Sequence, residues 1–178
     1  MGDVTREFRE NVSAEPGRQP GAQAQGIDIV LNVPMAPRGK GRARASKGGF
    51  MYTPKKTRDF EKDLREYIRP RMPDKPIAGL LRVDVLAFIQ RPKRLTRRKD
   101  PDGPLLCGRT PDCDNILKAC LDSIAVYFEQ SDACVAHGQC VKFYTERTGK
   151  PRIMIRIRSI EPGTDERETI HRIIFQDV

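Results

Sequence analysis

Apolar and polar residues alternate over residues 27–33 and, more strictly, over residues 81–89, where Val83, Val85, Ala87 and Ile89 interleave with Arg82 and Asp84. A period of two predicts strands with one buried face. Two further runs read the same way, at 133–145 and at 152–160, the last with Ile153, Ile155 and Ile157 on its buried side. Between these runs the period lengthens to that of a helix. Phe60, Leu64, Tyr67 and Ile68 form one stripe over residues 55–69, closed by Pro70 and Pro73. Leu117, Cys120, Leu121, Ile124 and Phe128 form another, which predicts a helix starting at Asp114 and ending near Glu129. Residues 146–151 read as a hairpin turn in which Gly149 takes a positive φ. The order β-α-β-α-β-β predicts an α+β single domain with a small mixed sheet of about four strands and two main helices.

Outside 27–160 the patterning fades. Residues 1–26 are rich in Gly, Pro, Gln, Glu and Arg, the composition of a disordered leader. Residues 161–178 form a charged tail in which Ile170, Ile173 and Ile174 hint at a short helix. No apolar run approaches the roughly 20 residues that a bilayer crossing needs. The first residues hold no apolar signal core, so nothing marks the chain for secretion. The five cysteines are odd in number and irregular in spacing, as expected for reduced thiols in a cytoplasm-like compartment.

Charge then narrows the partner. Thirty-three Lys and Arg against 24 Asp and Glu leave a net charge of +9, which makes a polyanion the leading partner. The cations concentrate in two loops. One is Gly-rich and carries Arg38, Lys40, Arg42 and Arg44; the other, over residues 91–108, carries Arg94, Arg97 and Arg98. Both suit contact with backbone phosphates more than the reading of bases.

Candidate chemistry lies around the second helix. Asp112 and Asp114 are two apart, and an extended segment would project both carboxylates to one side. Lys118 follows Asp114 by one helical turn, and Asp132 stands in the turn after the helix. Three carboxylates and an ammonium could thus converge at one helix N-terminus and hold a divalent cation, most simply Mg²⁺ with Mn²⁺ as an alternative. The bland reading makes Asp114 an N-cap worth roughly 1 kcal/mol and Lys118 its i,i+4 partner. Asn115 fits either a water-orienting or a supporting role. Cys134, His137 and Cys140 suggest zinc, but residues three apart on a strand face opposite ways and no Cys-x-x-Cys knuckle is present.

Asp112, Asp114, Asn115, Lys118 and Asp122, followed by Ser131, Asp132, Ala133, Cys134 and Val135, resemble the signature of RusA-type Holliday-junction resolvases. The basic stretch from Pro37 to Arg44, the Tyr52-Thr53-Pro54 step and Lys142 fit the same family. The resemblance spans about residues 27–160 and implies a RusA-like fold. It also implies a homodimeric, Mg²⁺-dependent endonuclease that nicks four-way DNA junctions in recombination and repair, in a bacterial or phage-infected cell. Carried over by position, Asp112, Asp114 and Asp132 would bind metal, Lys118 would be the catalytic or DNA-positioning cation, and Lys142 would contact DNA. The chain departs from the family in the residues before the first Asp, where Gly108, Arg109, Thr110 and Pro111 stand in place of a basic run. A non-catalytic basic protein that binds DNA junctions, and a general nuclease or ribonuclease, are the rival readings.

Overall fold

The computed structural model describes residues 26–46 and 48–160. The predicted leader (Gly26 aside) and the predicted tail lie outside the described residues. Seven strands and two helices follow in the order β1 (Asp28–Val33), β2 (Arg44–Ala45), β3 (Met51–Tyr52), α1 (Lys55–Ile68), β4 (Leu81–Ile89), β5 (Leu105–Leu106), α2 (Cys113–Ile124), β6 (Val135–Tyr144) and β7 (Arg152–Ser159). Five of the strands form a mixed sheet in the order β1-β7-β4-β6-β5, and β2 and β3 form a separate hairpin. The α+β class, the two helices and the four main strands are therefore as expected. Two dipeptide strands on either side of residues 46–50 and the short β5 are additions, too brief to leave a periodic signal.

Both helices cover one face of the sheet. Phe60, Leu64 and Ile68 of α1, and Ile116, Ala119, Cys120 and Ile124 of α2, pack on Leu31, Val33, Val83, Val85, Ala87, Ile153, Ile155 and Ile157. Each large side chain so buried contributes about 1.5–3 kcal/mol. The buried stripe of α2 is centred on Ile116, Cys120 and Ile124, whereas Leu117 and Leu121 flank it half-buried. On the opposite face, charged residues pair across strands: Arg156 with Asp28 at 2.6 Å, and Arg158 with Asp84 at 3.4 Å.

The last two strands do not form the expected hairpin. β7 pairs antiparallel with both β1 and β4, while β6 lies parallel to β4 on its other edge. Burial explains the swap. Ile153, Ile155 and Ile157 are each 0% exposed and gain most from a central slot, whereas β6, with exposed Ala136, Gly138 and Gln139, tolerates a place near the rim. Gly149 also departs from expectation. Positive φ among the described glycines belongs to Gly49 and Gly79, and Gly149 is instead a close-approach position where a Cβ would run into the Glu146 carboxylate.

Candidate active site and DNA-binding surface

Helix α2 begins one residue earlier than predicted. Asp112, not Asp114, is its N-cap, with extended backbone (φ −73°, ψ 150°), and Asp114 lies in the first turn. An N-cap carboxylate ordinarily accepts a hydrogen bond from the N2 or N3 amide. Asp112 makes no such bond. Both carboxylates are exposed, as is Lys118 one turn on, and among the described residues none of the three side chains has a hydrogen-bond or ion-pair partner. A pair of free carboxylates beside a free ammonium is left facing solvent at the positive end of a helix.

Asp132 is elsewhere. It sits in a 3₁₀ turn (Ser131–Cys134) immediately before β6, with Ser131 at φ 56°, and lines a surface cleft with Asp122, Ala125, Val126 and Phe128 at the far end of α2. Helix α2 has 12 residues, so its ends lie ~18 Å apart at 1.5 Å per residue. Convergence of Asp112, Asp114 and Asp132 within one chain, as the spacing suggested, does not occur, and among the described residues no three potential ligands of this kind cluster. The reason is topological. The chain climbs α2, turns, and descends β6, so a residue in that turn is as far as possible from the helix start.

Two lysines expected to touch DNA are engaged inside the protein. The Lys142 ammonium donates to the carbonyls of Arg109 (2.7 Å) and Pro111 (2.8 Å), anchoring the segment that delivers Asp112. Lys40 donates to Asp122 on α2 and stands 3.3 Å from Glu61 on α1, off the line of a hydrogen bond to it. Its backbone amide donates to the Asn115 carbonyl (2.9 Å). Gly39 makes this docking possible, since a Cβ there would stand 3.0 Å from Pro111 Cβ and 3.2 Å from Asn115 Cβ. The N-terminus of α2 is thus held from two sides by cations that sequence reasoning assigned to phosphate.

The side chains of the remaining predicted DNA-contacting cations have no ion-pair partner among the described residues. Arg38, Arg42 and Arg44 are exposed on the first loop, and Arg94, Arg97 and Arg98 on the second. The second loop owes its shape to Arg91, 2% exposed, which donates to the carbonyls of Thr145 (2.8 Å), Pro101 (2.7 Å) and Gly103. Arg147 braces it from outside through Asp102 at 2.6 Å. The hairpin of β2 and β3 holds a feature that was missed: Phe50, Met51 and Tyr52 are 80%, 66% and 47% exposed. Their position between Gly49 and Pro54, in a stretch too short to reach the core, was the available signal.

Residues 34–158 match the family described as endodeoxyribonuclease RusA. The chain belongs to the RusA family. The matched region begins just after β1 and takes in β2 to β7 but for Ser159, with Asp112, Asp114, Lys118 and Asp132 inside it. The chain is accordingly an endodeoxyribonuclease of the Holliday-junction-resolving class, and its α+β sheet with two covering helices is the RusA fold. No curated protein matches it. No helix among the described residues is long and apolar enough to cross a membrane.

The five thiols of this RusA protein are unpaired. Burial pushes Cys120 up to about 12, and burial with the neighbouring Cys113 does the same to Cys140, so both stay protonated near neutral pH. His137 is paired in register with Arg82, and Cys140 with Val85, which places them on opposite faces of the sheet.

Proposed function

We propose that the protein is a divalent-metal-dependent endonuclease, acting as a two-fold dimer that nicks branched DNA during recombination or repair. The observation that carries this reading is the pair of exposed carboxylates at the start of α2, which have no partner among the described residues. Two bare carboxylates ~4 Å apart repel by on the order of 1 kcal/mol in water and about 4 at an effective dielectric near 20. The donor set suits Mg²⁺, which takes one or two carboxylates and fills its other positions with water and phosphate oxygens. Bound there, the cation supplies charge that offsets what builds on the phosphate and leaving oxygen during hydrolysis. Asp112 and Asp114 hold it, Lys118 places an ammonium against a phosphate oxygen, and Lys142 keeps the Arg109–Pro111 segment in place beneath them.

A second copy supports a role for Asp132. Strand β6 pairs with β4 along its length, with a register shift at Ala136, and among the described residues its other edge is paired only by β5, at Phe143 and Tyr144. Among the described residues, the outward amides and carbonyls of residues 135–141 have no strand partner and can pair with another strand. Antiparallel pairing of two β6 edges about a two-fold axis sets the start of each strand beside the end of the other. That arrangement carries the partner's Asp132 toward Asp112 and Asp114 and completes two equivalent sites. Shape recognition of the branch falls to the exposed arginines of both loops, and Phe50 and Tyr52, exposed beside Arg44, are placed to stack on unpaired bases.

The test is a synthetic four-way junction incubated with Mg²⁺ or with EDTA, alongside linear duplex and RNA. Paired nicks that need the metal are expected on the junction. Asp114→Asn should reduce nicking at least about 10²-fold while junction binding persists, because a lost carboxylate does not weaken affinity for a polyanion. Full nicking in EDTA, or by that variant, overturns the assignment.

A further inference from the structure

Beside Pro111 the first basic loop and the start of α1 enclose a cleft to which the nuclease reading gives no particular part of the substrate. It has a volume of about 480 Å³ and is bounded by the loop from Pro37 to Arg44, the start of α1 and Pro111. Four cations line it: Arg38, Arg42, Arg44 and Lys56. No carboxylate is among its lining residues; Arg38 and Lys56 reach Asp59 and Asp63 only on the side of an adjoining cleft, and Arg42 and Arg44 do not line that cleft.

This concentration of like charge is unfavourable as it stands. Arg38, Arg42, Arg44 and Lys56 repel one another, and among the described residues none has an ion-pair partner. Lys55, Lys56 and Arg58 also occupy the first turn of α1, which holds no acidic residue. Cations are disfavoured at a helix N-terminus, where the aligned peptide dipoles present positive charge. An anion in the cleft relieves both penalties. The walls are also set in advance, because Gly41 donates its amide to the buried Thr57 hydroxyl (3.1 Å) and the loop is pinned to α2 through Lys40 and Gly39. Pro111 forms part of the wall, so the cleft adjoins the segment that leads into Asp112.

We propose that this cleft grips the backbone of the strand being cut, holding a phosphate within a few nucleotides of the scissile one through Arg42, Arg44 and Lys56. The proposal rests on the nuclease reading, and it assigns Lys56 a role in substrate binding.

The experiment couples the side chains to individual phosphates. Four-way junctions carrying a single neutral methylphosphonate at each position flanking the nick, on the cut and on the uncut strand, are bound and cleaved by wild type, Lys56→Gln and Arg42→Gln. Lys62→Gln, which removes an α1 cation already paired with Glu66 at 3.7 Å, serves as control. Each cleft variant should weaken junction binding about tenfold and lower the salt slope by about one. Neutralising one phosphate on the cut strand should weaken wild type to a similar extent and add little to the Lys56→Gln or Arg42→Gln loss. Coupling confined to the uncut strand, or losses that simply add at every position, overturns the cleft assignment. Failure of wild type to nick any substrate would instead defeat the nuclease reading, and the binding cycle would still decide whether the cleft holds phosphate.

Discussion

Asp112 shows how a residue can occupy a structural position without performing its structural task. It stands at an N-cap and leaves the helix amides uncapped, which forgoes roughly 1 kcal/mol of helix stability. Glu146 is the opposite case, a carboxylate wholly committed to the fold. Arg152 donates two hydrogen bonds to it, at 2.6 and 2.8 Å, and holds its pKa down to about 2 from the usual 4.5. A depressed pKa stabilises the folded state above the unfolded value, and the contribution fades as pH falls from about 4.5 toward 2. Glu146→Gln should therefore cost up to about 1 kcal/mol at pH 7, the amount expected for a partly exposed pair. Thermal melts of the two proteins should draw together as the pH is lowered to 3. A gap that stays constant over that range would mean the pair's charge is not what stabilises it.

At the scale of elements, the important contact is between α2 and β6, which run antiparallel with Leu117 packed against Gly138. That alignment sets the start of the helix over the end of the strand, where Lys142 reaches the carbonyls of Arg109 and Pro111. Replacing Lys142 with Met keeps the stem and removes the donors. Hydrogen bonds from a charged group are worth about 1.5–3 kcal/mol, so the melting temperature should fall by about 4–8 °C in a chain of this size. Nicking should fall with it, through misplacement of Asp112, while the salt dependence of junction binding stays that of wild type. A reduced salt slope would return Lys142 to the phosphate-contacting set. The elements themselves were legible in the sequence: β4 runs from Leu81 to Ile89 as its alternation indicated, and α1 ends at Ile68 before Pro70. Their pairing was not, because alternation in residues 135–144 and 152–159 identifies a buried face without identifying the neighbouring strand.

For the whole molecule the deciding question is whether one chain can build a complete site. With Asp132 at the far end of α2, two chains are needed under the proposed arrangement, and mixing defective chains exposes this. Asp114→Asn and Asp132→Asn proteins should each be inactive alone. Heterodimers formed from them should regain nicking, because the Asp132→Asn chain supplies intact Asp112 and Asp114 while its partner supplies intact Asp132. A site built within one chain gives no such rescue, since every copy would carry a defect. Gln139→Pro, which inserts a residue without an amide hydrogen on the rim strand, should shift the protein toward monomer in light scattering and abolish nicking together. Monomers that still nick would remove the two-fold site.

By itself, the sequence determined the α+β class, the places of both helices and the four main strands, the basic character and the acidic pair at the head of α2; the second helix was expected to run to Glu129 and stops at Ile124, where a 3₁₀ turn (Ala125–Tyr127) takes over. The features so determined are local in origin, since periodicity, charge and capping position depend on residues a few places apart. Tertiary structure alone decided that β7 lies between β1 and β4, that Lys40 and Lys142 face inward, and that Asp132 lies a helix-length from the residues it was expected to join. Those outcomes depend on which elements pack together and in which direction the chain passes through them, and a linear pattern does not carry that information.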